Sequence, residues 1–433
     1  MTNTLYVYCP DVGPRIRYVF EFIRIQWNLD ELIFLDKKSL SADNVTPFIN
    51  YSNEALPQSS AQFIPGPITQ EGKKIIPDLP EWIDGLPYFF KSNNLATGIV
   101  SYDIPGMIFY MLSRMEEYEN SGRDSLGRME GRNSFAQKNG FLHLPVVDLW
   151  IEKLAKLYFK EGIPKSGSKF NLTVDIDIAW AFANRPLWEN LGGAFKELIF
   201  LRRKKFQARL AVWAGLNQDP FEVYDYLKKI QDLHGAVQYF ILLGDRTKLD
   251  RNFHWKNPAF NTLIKKLSGY SDPGLHPSSL ASGNLFLLRK EKQRLESILG
   301  KDVKKSRQHY LLMKLPETYR DLLSAGISED YTMGFHDLPG CRAGTTKSFF
   351  WYDLEMEKTT DLKIYPFYVM DVTLNNYMNL SVPEAAKWMQ KQKEQFELWN
   401  LPMTLVWHNS SFFESDGWKG WREVLEIIFP VHS

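Results

Sequence analysis

The sequence has 433 residues, of which 44% are hydrophobic and 24% charged, and its 52 basic and 51 acidic residues nearly cancel. This length suggests more than one domain, and the balanced charge gives the chain no overall attraction to nucleic acid or to anionic membranes. Two cysteines, Cys9 and Cys341, cannot build a disulfide framework, and no CxxC pair is present to hold zinc. No signal peptide or integral membrane segment is visible, so we expect a cytoplasmic protein.

Residues 1–165 are predicted to form a smaller α/β domain. The strand patterns "TLYVYC" and "ELIFLD" flank the amphipathic "RIRYVFEFIRIQW", which predicts a βαβ opening. Residues 51–101 are rich in Pro, Ser and Asn and are predicted to be irregular, and "IPGMIFYMLSRMEEYEN" and "PVVDLWIEKLAKLYF" are two helical patterns. Gly, Pro, Ser and Lys gather in "EGIPKSGSKF" (161–170), where we place the boundary with a second domain, 166–433.

The second domain alternates predicted strands and helices. The strand candidates are "NLTVDID", "AVQYFILL", "PGLHP", "DVKKSR", "GISED", "KIYPFYVMD" and "MTLVWHN". The helix candidates are 188–210, 220–233, 258–268, 285–299, 315–324 and 382–399. This alternation is typical of a parallel sheet, either a barrel or a doubly wound sheet.

Polar residues follow most of these strands. Asp175 and Asp177 end the first one, and later strands end in His276, Arg307, Asp330, Asp371 and His408. Because the carboxyl ends of parallel strands open on one face, these residues indicate a single site. The two carboxylates of "TVDID" point the same way, which requires a metal ion or an arginine between them, or one protonated group. The alternative is a strand end with two solvated acids.

Each later residue has two interpretations. His276 in "GLHPSS" suits a metal site with Asp177, or is a hydrogen-bonded loop residue. Arg307 in "KSRQHY" can hold a carboxylate ionised and oriented, or pair with a surface acid. His408 in "VWHNSS" can donate a proton near neutral pH, or is a buried structural histidine.

Other segments are less specific. Arg342 lies in a Gly-rich loop, and the aromatic residues after it, with Trp418 and Trp421, suit either sugar rings or a core. "LRRKKFQAR" (201–209) is typical of a solvated helix face, with anionic lipid or substrate binding as the alternative. The sequence contains no GxSxG, P-loop, GxGxxG or HExxH motif.

The order Asp-x-Asp, His-Pro-Ser, Arg-x-x-Tyr, Asp-Tyr and a late strand ending in His resembles the polysaccharide deacetylase superfamily (carbohydrate esterase family 4). It is most similar to a subgroup in which the catalytic domain follows an α/β domain of unknown function. The resemblance implies a distorted parallel (β/α) barrel over residues 166–433. It also implies a divalent metal, often zinc, and removal of N- or O-acetyl groups from carbohydrates.

The resemblance also implies a role for each matching residue. Asp177 would be a metal ligand and His276 the first histidine of a His-x-x-x-His metal motif, whose second position is Leu280 here. Leucine cannot coordinate a metal, and zinc sites in enzymes usually have three protein ligands. His309 is our candidate for the third ligand, and the alternative is that it supports a ligand or donates a hydrogen bond to substrate.

The catalytic roles carry over in the same way. Asp175 would be the general base, oriented by Arg307, and His408 the general acid, tuned by Asp330. The backbone N–H of Tyr310 would help to form the oxyanion hole. We assign to substrate binding Tyr310, Arg342, Asp371, Asn409 and Trp418.

The sequence therefore predicts a metal-assisted hydrolase acting on an acetylated sugar or glycoconjugate. Two other functions remain open. One is a carbohydrate-binding protein on the same fold, which the leucine in the metal motif favours. The other is a hydrolase of another small amide C–N bond. The sequence gives no oligomeric state.

Overall fold

The computed structural model describes residues 3–42, 47–92, 99–118, 122–159, 167–415 and 417–431. The chain divides into two compact units. Unit 1 comprises 1–166, 314–319 and 340–366, and unit 2 comprises 167–313, 320–339 and 367–433. The first break falls within the predicted linker, whose residues 161–166 lie outside the described ranges. The two short segments of unit 1 come from the stretch that the sequence assigns to the second domain.

The described residues form short strands and mostly longer helices. The strands are β1 (Thr4–Tyr8), β2 (Glu31–Leu35), β3 (Ile49–Tyr51), β4 (Ala61–Phe63), β5 (Glu81–Ile83), β6 (Leu86–Tyr88), β7 (Ile99–Val100), β8 (Phe170–Ile176), β9 (Val237–Leu242), β10 (Gly274–His276), β11 (Lys305–Ser306), β12 (Glu329–Asp330), β13 (Phe349–Asp353), β14 (Lys358–Ile364), β15 (Val369–Met370) and β16 (Met403–His408). The helices are α1 (Pro14–Gln26), α2 (Lys37–Ala42), α3 (Ile104–Ser113), α4 (Phe135–Lys138), α5 (Val146–Tyr158), α6 (Leu187–Ile199), α7 (Arg203–Trp213), α8 (Tyr224–His234), α9 (Pro258–Ser268), α10 (Leu285–Leu299), α11 (Glu317–Ser324), α12 (Val382–Trp399) and α13 (Trp421–Glu426).

Unit 1 contains a parallel sheet in the order β2-β1-β3-β4-β7. Its first part is the predicted βαβ opening, confirmed by the parallel pairing of β1 with β2 around α1. The α1 helix buries Ile16, Val19, Phe20 and Ile23, which recur at helical spacing on one face. The prediction of irregular structure over 51–101 is wrong in part, because β4 to β7 lie there.

Unit 2 contains parallel strands in the order β12-β11-β10-β9-β8-β16-β15. The central strands are almost wholly buried, which explains why their sequences are continuous apolar runs rather than alternating ones. Their register brings Asp175 beside His408 and Ser306 beside Asp330. Among the described strands, no pairing joins β15 to β12, so an α/β fold with parallel sheets is observed and a closed barrel stays a prediction.

The helix bounds in unit 2 follow their capping residues. Asn257 and Asn284 precede α9 and α10, and the side chain of each accepts a hydrogen bond from the backbone N–H three residues later. Ser381 and Glu384 form a capping box on α12. All three helices have the predicted bounds. The single predicted helix 188–210 is wrong, because the chain breaks at Leu201, which has φ 52°, into α6 and α7. Within the described ranges, no helix combines the length and the apolarity needed to cross a membrane.

Candidate metal and acid–base site

The carboxyl ends of neighbouring strands in unit 2 bring a set of ionisable side chains together. We call this set the strand-end cluster, and its members are Asp175, Asp177, His276, Arg307, His309, Asp371 and His408. Parallel pairing is the cause, since the parallel strands β8, β9, β10 and β16 all end at the same edge. Most members are buried, but the side chains of Asp177 and His408 are 27% and 14% exposed, so solvent reaches the cluster.

Asp175 and Arg307 form a buried, oriented ion pair. Arg307 Nη1 donates to Asp175 Oδ1 at 2.8 Å, and Nη2 donates to Thr173 Oγ1 at 2.8 Å. The guanidinium also lies over the rings of Phe240 and Phe367, at 4.6 and 5.6 Å from their centroids. These contacts orient Arg307, which holds one oxygen of Asp175 in place. The other oxygen, Oδ2, faces His276 Nε2 at 3.8 Å.

Asp177, His276 and His309 form a group of potential metal ligands. One donor atom from each lies within 4.8 Å of the other two. Asp177 Oδ1 is 3.2 Å from His276 Nε2, and Asp177 Oδ2 is 3.5 Å from His309 Nε2. Both imidazole nitrogens therefore lie beside the same carboxylate, one near each of its oxygens.

Both histidines have their second ring nitrogen occupied. His276 Nδ1 donates to the backbone oxygen of Arg307 at 2.6 Å, and His309 Nδ1 donates to Asp250 Oδ1 at 2.8 Å. These bonds leave each Nε2 turned towards Asp177, which is the orientation that metal-binding histidines usually have, and a bound metal would replace any proton on that nitrogen.

Two donor atoms of this group are buried and face each other at 3.2 Å, without the geometry of a hydrogen bond between them or to another group. They are Asp177 Oδ1 and His276 Nε2. A buried polar atom without a partner is costly and calls for an explanation such as an ion. One carboxylate and two imidazoles suit zinc and similar divalent ions, so the residues present fit such a metal.

The charges in the group are strongly coupled. Burial raises the pKa of Asp177, but His309, His276 and His408 lower it more, and the net pKa lies well below its usual range. Burial lowers the pKa of His309, but Asp177 and Asp250 raise it more, to about 9. A carboxylate that stays ionised is the form that binds a cation.

His408 is held by Asp371. His408 Nδ1 donates to Asp371 Oδ1 at 2.8 Å, and the backbone N–H of His408 donates to Asp371 Oδ2 at 2.7 Å. Burial lowers the pKa of His408, but Asp371, Asp177 and Asp175 raise it more, to about 10. These carboxylates favour the imidazolium form of His408, whose Nε2 lies 3.9 Å from Asp177 Oδ2.

The prediction that Asp330 tunes His408 is wrong, because Asp371 is the carboxylate that bonds to His408. Asp330 accepts hydrogen bonds from Ser306 at 3.2 Å and from the Thr332 hydroxyl at 2.7 Å. Its carboxylate therefore braces the ends of β11 and β12. Asp371, which the sequence assigned to substrate binding, is the carboxylate on His408 because it ends β15, next to β16.

The remaining predicted substrate residues have other partners. The hydroxyl of Tyr310 donates to the oxygen of Leu249 at 3.1 Å, and its ring lies against His309. The amide of Asn409 donates to the oxygens of Ile178 and Phe221, so it ties two loops together. Trp418 packs edge-on against Trp421. Contact of these residues with substrate stays a prediction.

Arg342 is not positioned to bind substrate, and Leu280 does not lie beside the metal donors. Arg342 belongs to unit 1, where it is buried and pairs with both oxygens of Glu117. This pairing occupies the guanidinium that the sequence assigned to substrate. Leu280 is 54% exposed, and His309 rather than residue 280 approaches Asp177 and His276.

Sequence reasoning missed Asp250. It lies in the loop after β9, is fully buried, and accepts bonds from His309, Ser279 and Thr247. Burial raises the pKa of Asp250, but the bonds from His309 and Ser279 lower it more, to about 2. Its position follows no strand directly, so the strand-end pattern contains no signal for it.

Comparisons with known proteins complete these observations. Residues 5–161 match the model of a "Family of unknown function (DUF7033)". No curated protein matches the sequence. A solved structure described as "Crystal structure of putative polysaccharide deacetylase from Mycobacterium smegmatis" is 12% identical. The match covers 62% of this chain and 85% of that one, with a TM-score of 0.38. A likeness this low carries no argument about function.

Proposed function

We propose that unit 2 is a metal-assisted hydrolase that removes an N- or O-acetyl group from a carbohydrate or glycoconjugate. The observation that carries this proposal is that three kinds of chemical group lie together around Asp177. These are a set of metal donors, a carboxylate fixed by Arg307, and a histidine fixed by Asp371. Hydrolysis of an amide or ester needs an activated water, a base and an acid, and the cluster offers groups for each.

The metal would be held by Asp177, His276 and His309. A divalent ion with open positions supplies a Lewis acid for a carbonyl oxygen and lowers the pKa of water. Zinc is the ion that we propose, because one carboxylate and two imidazoles match its preferences. Asp250 would support the site by fixing the orientation of His309.

Asp175 would act as the general base. Arg307 occupies Oδ1 and keeps the carboxylate in one orientation, so Oδ2 is the atom that would accept a proton from water. Oδ2 already faces the metal donors, at 3.8 Å from His276 Nε2. The water oxygen would then form a bond to the acetyl carbon.

His408 would act as the general acid. Asp371 on Nδ1 favours the protonated imidazole, and Nε2 lies 3.9 Å from Asp177 Oδ2, within the cluster. Donation of this proton to the departing nitrogen or oxygen accompanies cleavage of the C–N or C–O bond, and the products are acetate and a free amine or alcohol. Asp371 balances the charge of the imidazolium and is a positioning residue.

The choice of an acetylated sugar rests on the motif order, which resembles that of polysaccharide deacetylases. The test is acetate release from a panel of N- and O-acetylated saccharides by zinc-loaded full-length protein, with small amides in the same panel. We expect acetate from at least one saccharide class. Tight saccharide binding without turnover would instead support a binding protein. Cleavage of small amides alone would support a different hydrolase.

The Asp175→Asn variant tests the mechanism. We expect at least about a hundredfold loss of turnover, because general base catalysis contributes about that much or more. Asp245→Asn, in an exposed carboxylate that pairs with Arg294 and Lys290, is the control and should keep full activity. Activity of Asp175→Asn within tenfold of the wild type would remove Asp175 from the base role.

A further inference from the structure

Helix α6 carries its apolar face towards solvent. Six large apolar side chains are 58–79% exposed. From Trp188 onwards their spacing follows one face of the helix. The six are Leu187, Trp188, Leu191, Phe195, Leu198 and Ile199. Soluble proteins seldom expose so many neighbouring apolar side chains unless the surface binds a partner or a membrane.

The opposite face of α6 is polar and buried. Arg209 of α7 donates to both carboxylate oxygens of Glu197, at 2.9 and 2.7 Å, and to Asn190 Oδ1 at 2.8 Å. Its guanidinium lies 4.6 Å from the ring centroid of Phe182. A Cβ on Gly193 would lie 2.5 Å from Arg209 Nη2, so only glycine leaves room for this arrangement. The buried ion pair fixes the helix with its apolar side outward.

The apolar surface continues across the turn to a run of cations. Phe200 and Leu201 are 61% and 76% exposed and lie between the two helices. The run that follows is Arg202, Arg203 and Lys204, all of which are exposed. We call the six α6 side chains, Phe200, Leu201 and this basic run the hairpin surface.

No unpaired carboxylate of α6 or α7 offsets these three cations. The only carboxylates of α6 and α7 are Glu189 and Glu197. Glu197 is buried against Arg209, and Glu189 pairs with Arg185 and Arg246. The hairpin surface is therefore apolar in its middle and cationic at its border. The net charge of the whole chain does not reveal this local excess.

We propose that the hairpin surface docks the protein on a membrane surface that contains anionic lipid. Trp, Phe and Leu side chains would enter the boundary between headgroups and acyl chains, and the basic run would contact lipid phosphates. The 13 residues of α6 are too few to span a bilayer, so the helix would lie in the interface plane. This inference does not depend on the proposed hydrolase.

A lipid surface matches both features better than a second copy of the chain does. An isologous contact would place two basic runs on one interface, where no unpaired carboxylate of α6 or α7 is present to neutralise them. Anionic headgroups supply the missing negative charge, and the acyl region takes up the apolar side chains.

The test is flotation of the full-length protein with lipid vesicles. One set contains phosphatidylcholine with phosphatidylglycerol, and the other contains phosphatidylcholine alone. We expect the protein to float with the anionic vesicles and to bind them more weakly at high salt. The apolar variant Trp188→Gln/Phe195→Gln/Phe200→Gln should reduce binding by about tenfold or more. The basic variant Arg202→Gln/Arg203→Gln/Lys204→Gln should reduce it by about tenfold or more on anionic vesicles.

The control variant is Phe286→Gln on α10, whose side chain is 74% exposed outside the hairpin surface. It should bind like the wild type. Because every altered side chain is exposed, circular dichroism should show each variant folded. Absence of wild-type binding to anionic vesicles would overturn the proposal, as would binding that the hairpin variants leave unchanged. Hairpin-dependent dimers in sedimentation velocity, without vesicle binding, would instead identify a chain–chain interface and also overturn it.

Discussion

The ring nitrogens of His276 and His309 show how single hydrogen bonds select a chemical role. A neutral imidazole has one donor and one acceptor nitrogen. In both residues Nδ1–H donates a hydrogen bond. The acceptor is the backbone oxygen of Arg307 for His276 and the carboxylate of Asp250 for His309. The acceptor nitrogen is then Nε2, next to Asp177. The metal binding that we propose at this place would thus depend on groups that do not touch the metal.

Replacement of Asp250 tests this dependence. The Asp250→Asn variant should bind zinc about tenfold more weakly, since changes behind a metal ligand commonly cost that much. Isothermal titration calorimetry on chelator-treated protein would measure the change. Asp245→Asn lies in the same loop and is the matched control. Equal affinities of Asp250→Asn and wild type would show that Asp250 does not support His309.

Sequence patterns located the strand-end residues but not all of their pairings. Asp175, His276 and His408 follow apolar strands, so the parallel sheet brings them together by its own geometry. Which carboxylate reaches His408 depends on strand order, which the sequence does not show. Asp371 ends the strand next to β16, and Asp330 ends a strand further along the sheet. Asp250 comes from a loop, where no periodic pattern exists.

At the scale of elements, the loop after β8 is held by a single buried carboxylate. Asp219 accepts hydrogen bonds from the backbone N–H groups of Ala181, Phe182 and Ala183, at 2.7–2.8 Å. Asn409 holds the same loop through the oxygen of Ile178. Because β8 ends at Ile176, Asp177 is the first residue of this loop. The conformation of the loop therefore influences where the carboxylate of Asp177 lies.

The Asp219→Asn variant should loosen this loop. An amide has only one acceptor oxygen. Its NH₂ group would face at least one of the backbone N–H groups, so at least one hydrogen bond would be lost. We expect the free energy of unfolding to fall by about 1.5–3 kcal/mol, the range for a hydrogen bond to a charged group. Urea denaturation would measure it. Asp225→Asn, an exposed residue paired with Lys266, should change it by less than about 1 kcal/mol.

The α6–α7 hairpin shows why helix patterns alone fail at some positions. Residues 188–210 contain no proline, and their propensity favours one continuous helix. In the structure the helix breaks at Leu201, and α7 folds back along α6. This arrangement brings Arg209 into hydrogen-bond contact with Glu197 and Asn190. A tertiary ion pair therefore overrides local propensity, and a single sequence gives no sign of which charges will meet.

At the scale of the whole molecule, a distant segment completes unit 1. Residues 340–366 group with the first part of the chain, and Arg342 joins them through Glu117. Arg114 donates to the same carboxylate at 2.8 Å. Burial raises the pKa of Glu117, but the two arginines lower it more, from 4.5 to about 2. The predicted boundary near residue 165 could not include this segment, because linker composition describes only where the chain is locally irregular.

This carboxylate predicts a specific acid sensitivity. Because its pKa is lower in the folded state, its contribution to stability is complete above pH 4.5 and is lost as the pH falls towards 2. The contribution is about 3 kcal/mol, from the difference between the two pKa values. Glu117→Gln should lower the free energy of unfolding at pH 7 by about 3–5 kcal/mol. It should also flatten the dependence on pH between 5 and 2.

Denaturant unfolding at several pH values would measure both effects. Glu152→Gln removes a surface pair with Lys156 and should stay within about 1 kcal/mol of the wild type. A wild-type acid dependence that persists unchanged in Glu117→Gln would show that other carboxylates cause it.

The most direct test of the proposed site is calorimetric titration of Zn²⁺ into chelator-treated full-length protein. Three side chains supply the donors, so we predict one ion per chain and a loss of affinity of about tenfold or more in Asp177→Asn, His276→Ala and His309→Ala. Leu280→Ala should bind like the wild type, since residue 280 is exposed and holds no donor. Absence of zinc binding, or equal affinity of the three ligand variants and the wild type, would contradict a metal site in the strand-end cluster.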